Sequence, residues 1–175
     1  MAYTYSKIAT YTVGSGGIAN VSFLNIPQTY TDLILKVSAR GTTAGARVVP
    51  AITFNRSGSS YSTIRLYGQD SSTTGSASNE GGTASLWGNR VSASGSTAST
   101  FGSMDFYIPN YTGSNYKSNS SESVAENNSS TNWNVSMVAG LWSNTAAITS
   151  IVITPDVDNW AQYSTFHLYG IKAEV

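Results

Sequence analysis

The sequence contains no cysteine, four prolines, one histidine and only nine residues of each charge sign among 175. Each shortage removes a class of protein. Without cysteine there is no disulfide framework, no thiolate zinc site and no thiol nucleophile, and a chain that folds without disulfides suits a reducing compartment. Charged residues make up 10 % of the chain, against roughly a quarter in an ordinary soluble domain. The two signs balance and neither forms a run, so the basic patch that displaces counterions from phosphate is missing and no nucleic-acid partner is expected. No segment approaches the ~18 apolar residues of a membrane helix. Met1-Ala2-Tyr3-Thr4-Tyr5 lacks the charged stretch and apolar run of a secretory signal, and the expectation is synthesis and folding in the cytoplasm, with no membrane partner. Seven Leu and four Glu leave little to build helices from.

What is abundant is small and polar: 29 Ser, 20 Thr and 14 Asn. Such a surface is wetted by hydroxyls and amides rather than ions, and it cannot steer charged partners. The apolar positions are mostly β-branched or tyrosine, and they recur with period two. Over Tyr30–Ser38 one face reads Tyr30, Asp32, Ile34, Lys36, Ser38 and the other Thr31, Leu33, Leu35, Val37; the second is the expected core side. The same grammar predicts strands near 5–13, 18–25, 31–39, 47–54, 61–67, 84–91, 101–108, 115–122, 132–142, 147–154 and 163–172. Between them lie turn-forming clusters such as Gly14–Gly17, Gly41–Gly45, Asn55–Gly58 and Pro109–Gly113. Many short strands without βαβ alternation predict an all-β, single-domain antiparallel β-sandwich or jelly roll over residues 1–175. Residues 1–12 read either as its first strand or as an N-terminal arm. Gln69–Gly82 and Asn119–Asn132, nearly pure Ser, Thr, Asn and Gly, read as two long surface loops.

Chemistry-bearing residues are few. His167 alternates with Phe166 and Leu168 and is expected on the opposite, polar face of its strand. No Gly-x-Ser-x-Gly elbow accompanies it. A glycosidase needs two carboxylates a few ångströms apart, and Asp105, within Met104-Asp105-Phe106, is the acid best placed on a strand. It has no partner at readable spacing, and no catalytic residue is assigned; the expectation is that the chain is not an enzyme. Asp156-Val157-Asp158-Asn159 could offer oxygens to calcium, but lacks the EF-hand continuation and reads better as an Asx turn after Pro155. No metal and no cofactor are expected. Seven Asn-x-Ser/Thr triplets match what composition alone gives and carry no glycosylation role.

Aromatics are the better clue. Four Trp, 11 Tyr and five Phe supply most of the bulk. Trp142 and Phe166 are expected in the core. Tyr111 and Tyr116, among Asn, Gly and Ser, together with Trp133, are expected to be accessible, on a surface suited to a protein or to a sugar ring. Tyr3, Tyr5 and Tyr11 of the N-terminal segment are expected to contact a protein partner or a second subunit.

The blocks IPQTYTDLILKVSAR, ITFN…SSYSTIRLYG, MDFYIPNYTGSNYKS, LWSNTAAITSIVIT and STFHLYGIKA resemble a recurring domain of virion structural proteins in tailed bacteriophages, including phages of cyanobacteria. The resemblance runs from about residue 20 to the end. It implies a β-sandwich on the particle exterior, usually a homotrimer, in the manner of capsid decoration or cement proteins, head fibres and tail appendages. The expected function is therefore a decoration protein assembled in the host cytoplasm that binds the major capsid protein non-covalently and stabilises the particle. The alternative is a module of a fibre or tail that binds a host glycan. A polysaccharide-degrading enzyme built on Asp105 is the third reading. Neutrality suits a subunit repeated at close quarters, where like-charge repulsion would accumulate.

Overall fold

Alternation over Asp32–Ala39 buries Leu33, Leu35 and Val37 on one face of a central strand, because successive side chains of an extended chain point to opposite faces. The same rule, repeated, builds the molecule. A computed structural model describes residues 3–69, 73–87 and 89–173, with backbone alone for Tyr3, Thr73–Thr83 and Ala173. In chain order the strands are β1 (Tyr3–Thr12), β2 (Val21–Phe23), β3 (Asp32–Ala39), β4 (Arg47–Val48), β5 (Pro50–Phe54) and β6 (Tyr61–Gln69). Then follow β7 (Thr73–Thr83), β8 (Val91–Ser92), β9 (Gly102–Ile108), β10 (Lys117–Ala125), β11 (Asn134–Trp142), β12 (Ile151–Pro155) and β13 (Thr165–Ala173). Among the described residues there is no helix, and every ladder between these strands is antiparallel.

Eight strands form one sheet, ordered β1-β13-β3-β9-β10-β11-β6-β7; three form a second, ordered β2-β12-β5; β4 pairs with β8. The sheets pack as an antiparallel, single-domain sandwich. The small sheet places Phe23, Ile151 and Phe54 in one row and Val21, Ile153 and Ile52 in the next, all buried. They belong to one core cluster with Leu33, Leu35, Val37, Met104, Phe106, Phe166 and Leu168 of the large sheet. Phe54 is the hub, edge-to-face on Phe106 at 6.4 Å and on Trp142 at 5.7 Å, the geometry that aromatic quadrupoles favour. Trp142 and Phe166 thus sit where the alternation puts them. His167 projects to the other face, its Nδ1 3.0 Å from Thr10 Oγ1.

The rest of the large sheet is built differently. Its inner face under β10, β11 and β6 carries Asn119, Ser121, Ser123, Asn134, Ser136, Thr63 and Arg65, all buried. Residues 84–87 and 89–92 lie beneath it, tied to β5 by paired bonds between the Leu86 and Ile52 backbones. Asn89 Nδ2 donates to Ser121 Oγ at 2.7 Å, and the Arg90 N–H donates to Ser123 Oγ at 3.0 Å. Gly140 makes the approach possible, since a Cβ there would stand 2.7 Å from Leu86 and 2.6 Å from Asn119.

Three expectations are corrected. Gln69–Gly82 is not a loop over its described length: Thr73–Thr83 is β7, in register with β6. Asn119–Asn132 is a strand as far as Ala125, in register with both β9 and β11. Conversely 84–91 is mostly irregular, with only Val91–Ser92 paired to β4. Backbone pairing needs no apolar side chain, so a Ser-rich segment becomes a strand when a neighbour offers partners, on both sides for β10 and on one side for the edge strand β7. Residues 3–12 form the first strand, at the sheet edge.

Candidate functional site

Opposite the mostly polar inner face of β10, β11 and β6, alternation sends several apolar side chains to the outer face. Ile64, Leu66, Val124, Val135 and Met137 project outward, Met137 63 % and Ile64 57 % exposed. Register makes them one patch. Met137 lies between Leu66 and Glu122, Val135 between Gly68 and Val124, and Ala139 between Ile64 and Ser120. Directly opposite residues on paired strands are about 4.5–5.5 Å apart at Cβ, so the patch is continuous. Scattered apolar side chains on a surface need no explanation, but five adjacent ones on a flat sheet do.

Charge borders the patch on one side. The row through Met137 continues as Glu122, Asp105, Lys36, His167 and Thr10. Lys36 Nζ meets Asp105 Oδ2 at 2.5 Å, both side chains well exposed, so the pair contributes at most about 1 kcal/mol. Two shallow depressions run along the boundary. One, of about 270 Å³, is lined by Ile34, Asp105, Tyr107, Glu122 and Met137. The other, of about 520 Å³, is lined by Lys36, Asp105, Glu122, Val124, Val135 and Met137. Glu122 is the second carboxylate that sequence spacing did not reveal, directly across from Asp105. Asp105 is held by the lysine, and His167 stands two strands away, roughly 9.6 Å at a strand spacing near 4.8 Å. The row offers open, apolar-flanked contact rather than an enclosed reaction cleft.

The singled-out residues distribute as follows. Tyr5 and Tyr11 are exposed on β1 but do not share a face, because a bulge between Lys7 and Ala9 inserts one residue and reverses the alternation. The side chain of Tyr3 lies outside the described residues. Tyr111 is a correction: it is fully buried, its hydroxyl donating to the Pro27 carbonyl. Burial pushes its phenol pKa up. The turn around it folds inward because the Asn110 N–H donates to Asp32 Oδ1 at 2.8 Å and the buried Lys117 ammonium donates to the Gly113 and Asn115 carbonyls. Tyr116 is exposed and Trp133 half-buried. They flank opposite ends of the nine-residue β11 ladder, which itself spans roughly 27 Å as eight steps of about 3.4 Å, too far for one monosaccharide. Asp156 accepts the Val49 N–H at 2.8 Å, and Asp158 takes φ 59°, a turn arrangement. Among the described residues no three His, Cys, Asp or Glu side chains group to hold a metal ion.

The fold and the outer face define an all-β domain with one unpaired apolar sheet surface. No protein-family model matches the chain, and no curated protein matches it.

Proposed function

We propose that this protein is a capsid decoration subunit that seats the outer face of β10, β11 and β6 on the major capsid protein. The observation that carries the reading is the apolar patch of Ile64, Leu66, Val124, Val135 and Met137 on a domain whose surface is otherwise hydroxyl-rich; the likeness of the sequence blocks to virion structural proteins supplies the partner. Each side chain is roughly half exposed, so covering all five is worth on the order of 4–8 kcal/mol, about half of what full burial from water gives. Association itself costs a comparable amount. One copy therefore holds weakly, and stable attachment comes from several linked copies, a homotrimer being the simplest arrangement. Lys36, Asp105 and Glu122 at the rim set register more than affinity.

The test mixes purified protein with heads stripped of it, pellets the particles and measures their bursting temperature. Saturable binding that raises that temperature is expected, and Met137→Glu should weaken it by at least tenfold while leaving the circular dichroism spectrum unchanged. Retention on host polysaccharide with no binding to heads would sink the reading and favour the glycan-binding module.

A further inference from the structure

Every strand of the large sheet except β1 and β7 has a partner on both sides. β1 pairs with β13 alone, and it is held there mostly by backbone. From Thr4 to Thr12 no side chain is buried, and only Ile8 and Ala9 pack, partly covered, against the core. Among the described residues the first buried one is Val13. Its N–H donates to the Ser164 carbonyl, and its carbonyl accepts the Tyr163 N–H, both at 2.9 Å.

Beyond Val13 the chain turns at Gly14-Ser15-Gly16-Gly17 and is next fixed at Ile18, which exchanges paired backbone bonds with Trp160. Gly16 and Gly17 take φ 93° and 72°, and glycine is as much at ease in an extended backbone as in these values. A Cβ at Gly14 or Gly16 would meet nothing within 4 Å, so the outer part of the turn has room to straighten. A strand held by one ladder and little apolar burial opens at low cost. Opening leaves one edge of β13 with unpaired N–H and C=O groups, a template for another strand. The outer edge of β1 is no such template, because Lys7 and the bulge between Lys7 and Ala9 blunt pairing there. The strand that refits β13 is β1 itself, matched from Tyr3 opposite Ala173 to Thr12 opposite Thr165.

We propose that β1 is an exchangeable strand, and that the β13 edge takes the β1 of a second copy of this chain. The incoming strand restores the bonds its predecessor made. The balance between closed and exchanged forms is therefore set by the Gly14–Gly17 hinge and by chain concentration, with no new contact needed. The inference does not rest on the docking of β10, β11 and β6. It does supply the link between copies on which tight attachment of that face depends.

A sequence without cysteine makes the test clean. Thr10 and His167 are opposite each other in the ladder, Oγ1 and Nδ1 3.0 Å apart. Cα atoms across an antiparallel pair are about 4.5–5.5 Å apart, within the reach of a disulfide. Full chains carrying Thr10→Cys and His167→Cys are mixed in urea, refolded together, oxidised and separated without reductant. Expected is a covalent heterodimer at least tenfold above the dimer that either variant forms alone, since an exchanged β1 brings position 10 of one copy to position 167 of another. Lys7→Cys mixed with Tyr169→Cys, another opposed pair, repeats the measurement at a second point of the ladder. The chain carrying both Thr10→Cys and His167→Cys is the control for geometry. If it closes only within one molecule, and neither mixture cross-links above its single variants, the proposal is overturned. Met137→Glu, which disables the docking face, should leave the cross-link unchanged. Loss of the cross-link in that variant would transfer the contact between copies to the docking face, and would overturn exchange as well.

Discussion

The eight-stranded sheet has two halves that obey the same alternation with opposite polarity. Across β13, β3 and β9 the inner face is Phe166, Leu168, Leu33, Leu35, Val37, Met104, Phe106 and Ile108, and the outer face carries His167, Lys36 and Asp105 beside the largely covered Ile34 and Ile171. Across β10, β11 and β6 the inner face is mostly polar, with Asn119, Ser121, Ser123, Ser136, Thr63 and Arg65 beside the buried Tyr61, Ala125, Val138 and Trp142, and the outer face holds the exposed Val124, Val135, Met137, Leu66 and Ile64. The first half is a core strand set covered by the small sheet. The second is inverted. Hydrophobic burial explains the first half; the second has Tyr61, Val138 and Trp142 in the core but is otherwise held by backbone ladders and hydroxyl–amide bonds, and its outward apolar side chains do not serve folding. Side-chain atoms buried without partners concentrate there too, on Arg65, Asn89, Arg90, Asn119 and Asn127. A region that keeps five apolar side chains facing water is the one on which the proposed docking rests.

The sharpest way to break this comparison is at the seam, where Phe106 of one half and Ser121 of the other are direct cross-strand neighbours. Phe106→Ala empties the space against Phe54 and should cost about 3–5 kcal/mol, the range for deleting a buried phenyl group. Urea unfolding measures it. A loss under about 1.5 kcal/mol would mean that the apolar half is not the principal source of stability.

A smaller effect tests the polar half. Ser123 Oγ accepts the Arg90 N–H and lies 3.0 Å from Ser136 Oγ, which donates to Asn134 Oδ1 at 2.9 Å. Ser123→Ala and Ser136→Ala should each cost about 1–2 kcal/mol, since each leaves buried partners unpaired. The double variant should cost less than the sum, by roughly 0.5–1 kcal/mol, because both removals break one chain of bonds. Strict additivity would show that the hydroxyls act separately and that no network spans the two strands.

The two halves also differ in how far they can be read from sequence. Leu33, Leu35 and Val37, or Phe166 and Leu168 around His167, announce both strand and buried face, because the core side is the apolar side. Lys117–Ala125 announces neither. Its inward residues are Lys, Asn and Ser, and its strand character comes from neighbours on both sides supplying hydrogen bonds. Thr73–Thr83 is just as poor in apolar residues and pairs on one side only, as the edge strand beside β6. In β11 the period is plain, but which side is buried is set by Leu86, Asn89 and Arg90 folding beneath it, a tertiary fact with no local mark. Tyr111 is concealed by long-range anchors, Asp32 and Pro27. Arg47 and Arg90 line one cleft from two separate segments, with nothing in their spacing to suggest it.

The smallest expected effect is the most diagnostic. Met137→Thr exchanges the most exposed large apolar side chain of the patch for a β-branched residue that suits a strand. Water already covers that side chain in the isolated domain, so folding gains almost nothing from it, and the change should move stability by no more than about 0.5 kcal/mol. The urea slope should also stay constant, since unfolding exposes nearly the same surface. The same substitution deletes the centre of the patch and should weaken attachment to a partner, where central apolar anchors carry most of the energy. A stability loss above about 1.5 kcal/mol would instead mean that the outer face is packed within the domain, and the inversion that separates the two halves would disappear.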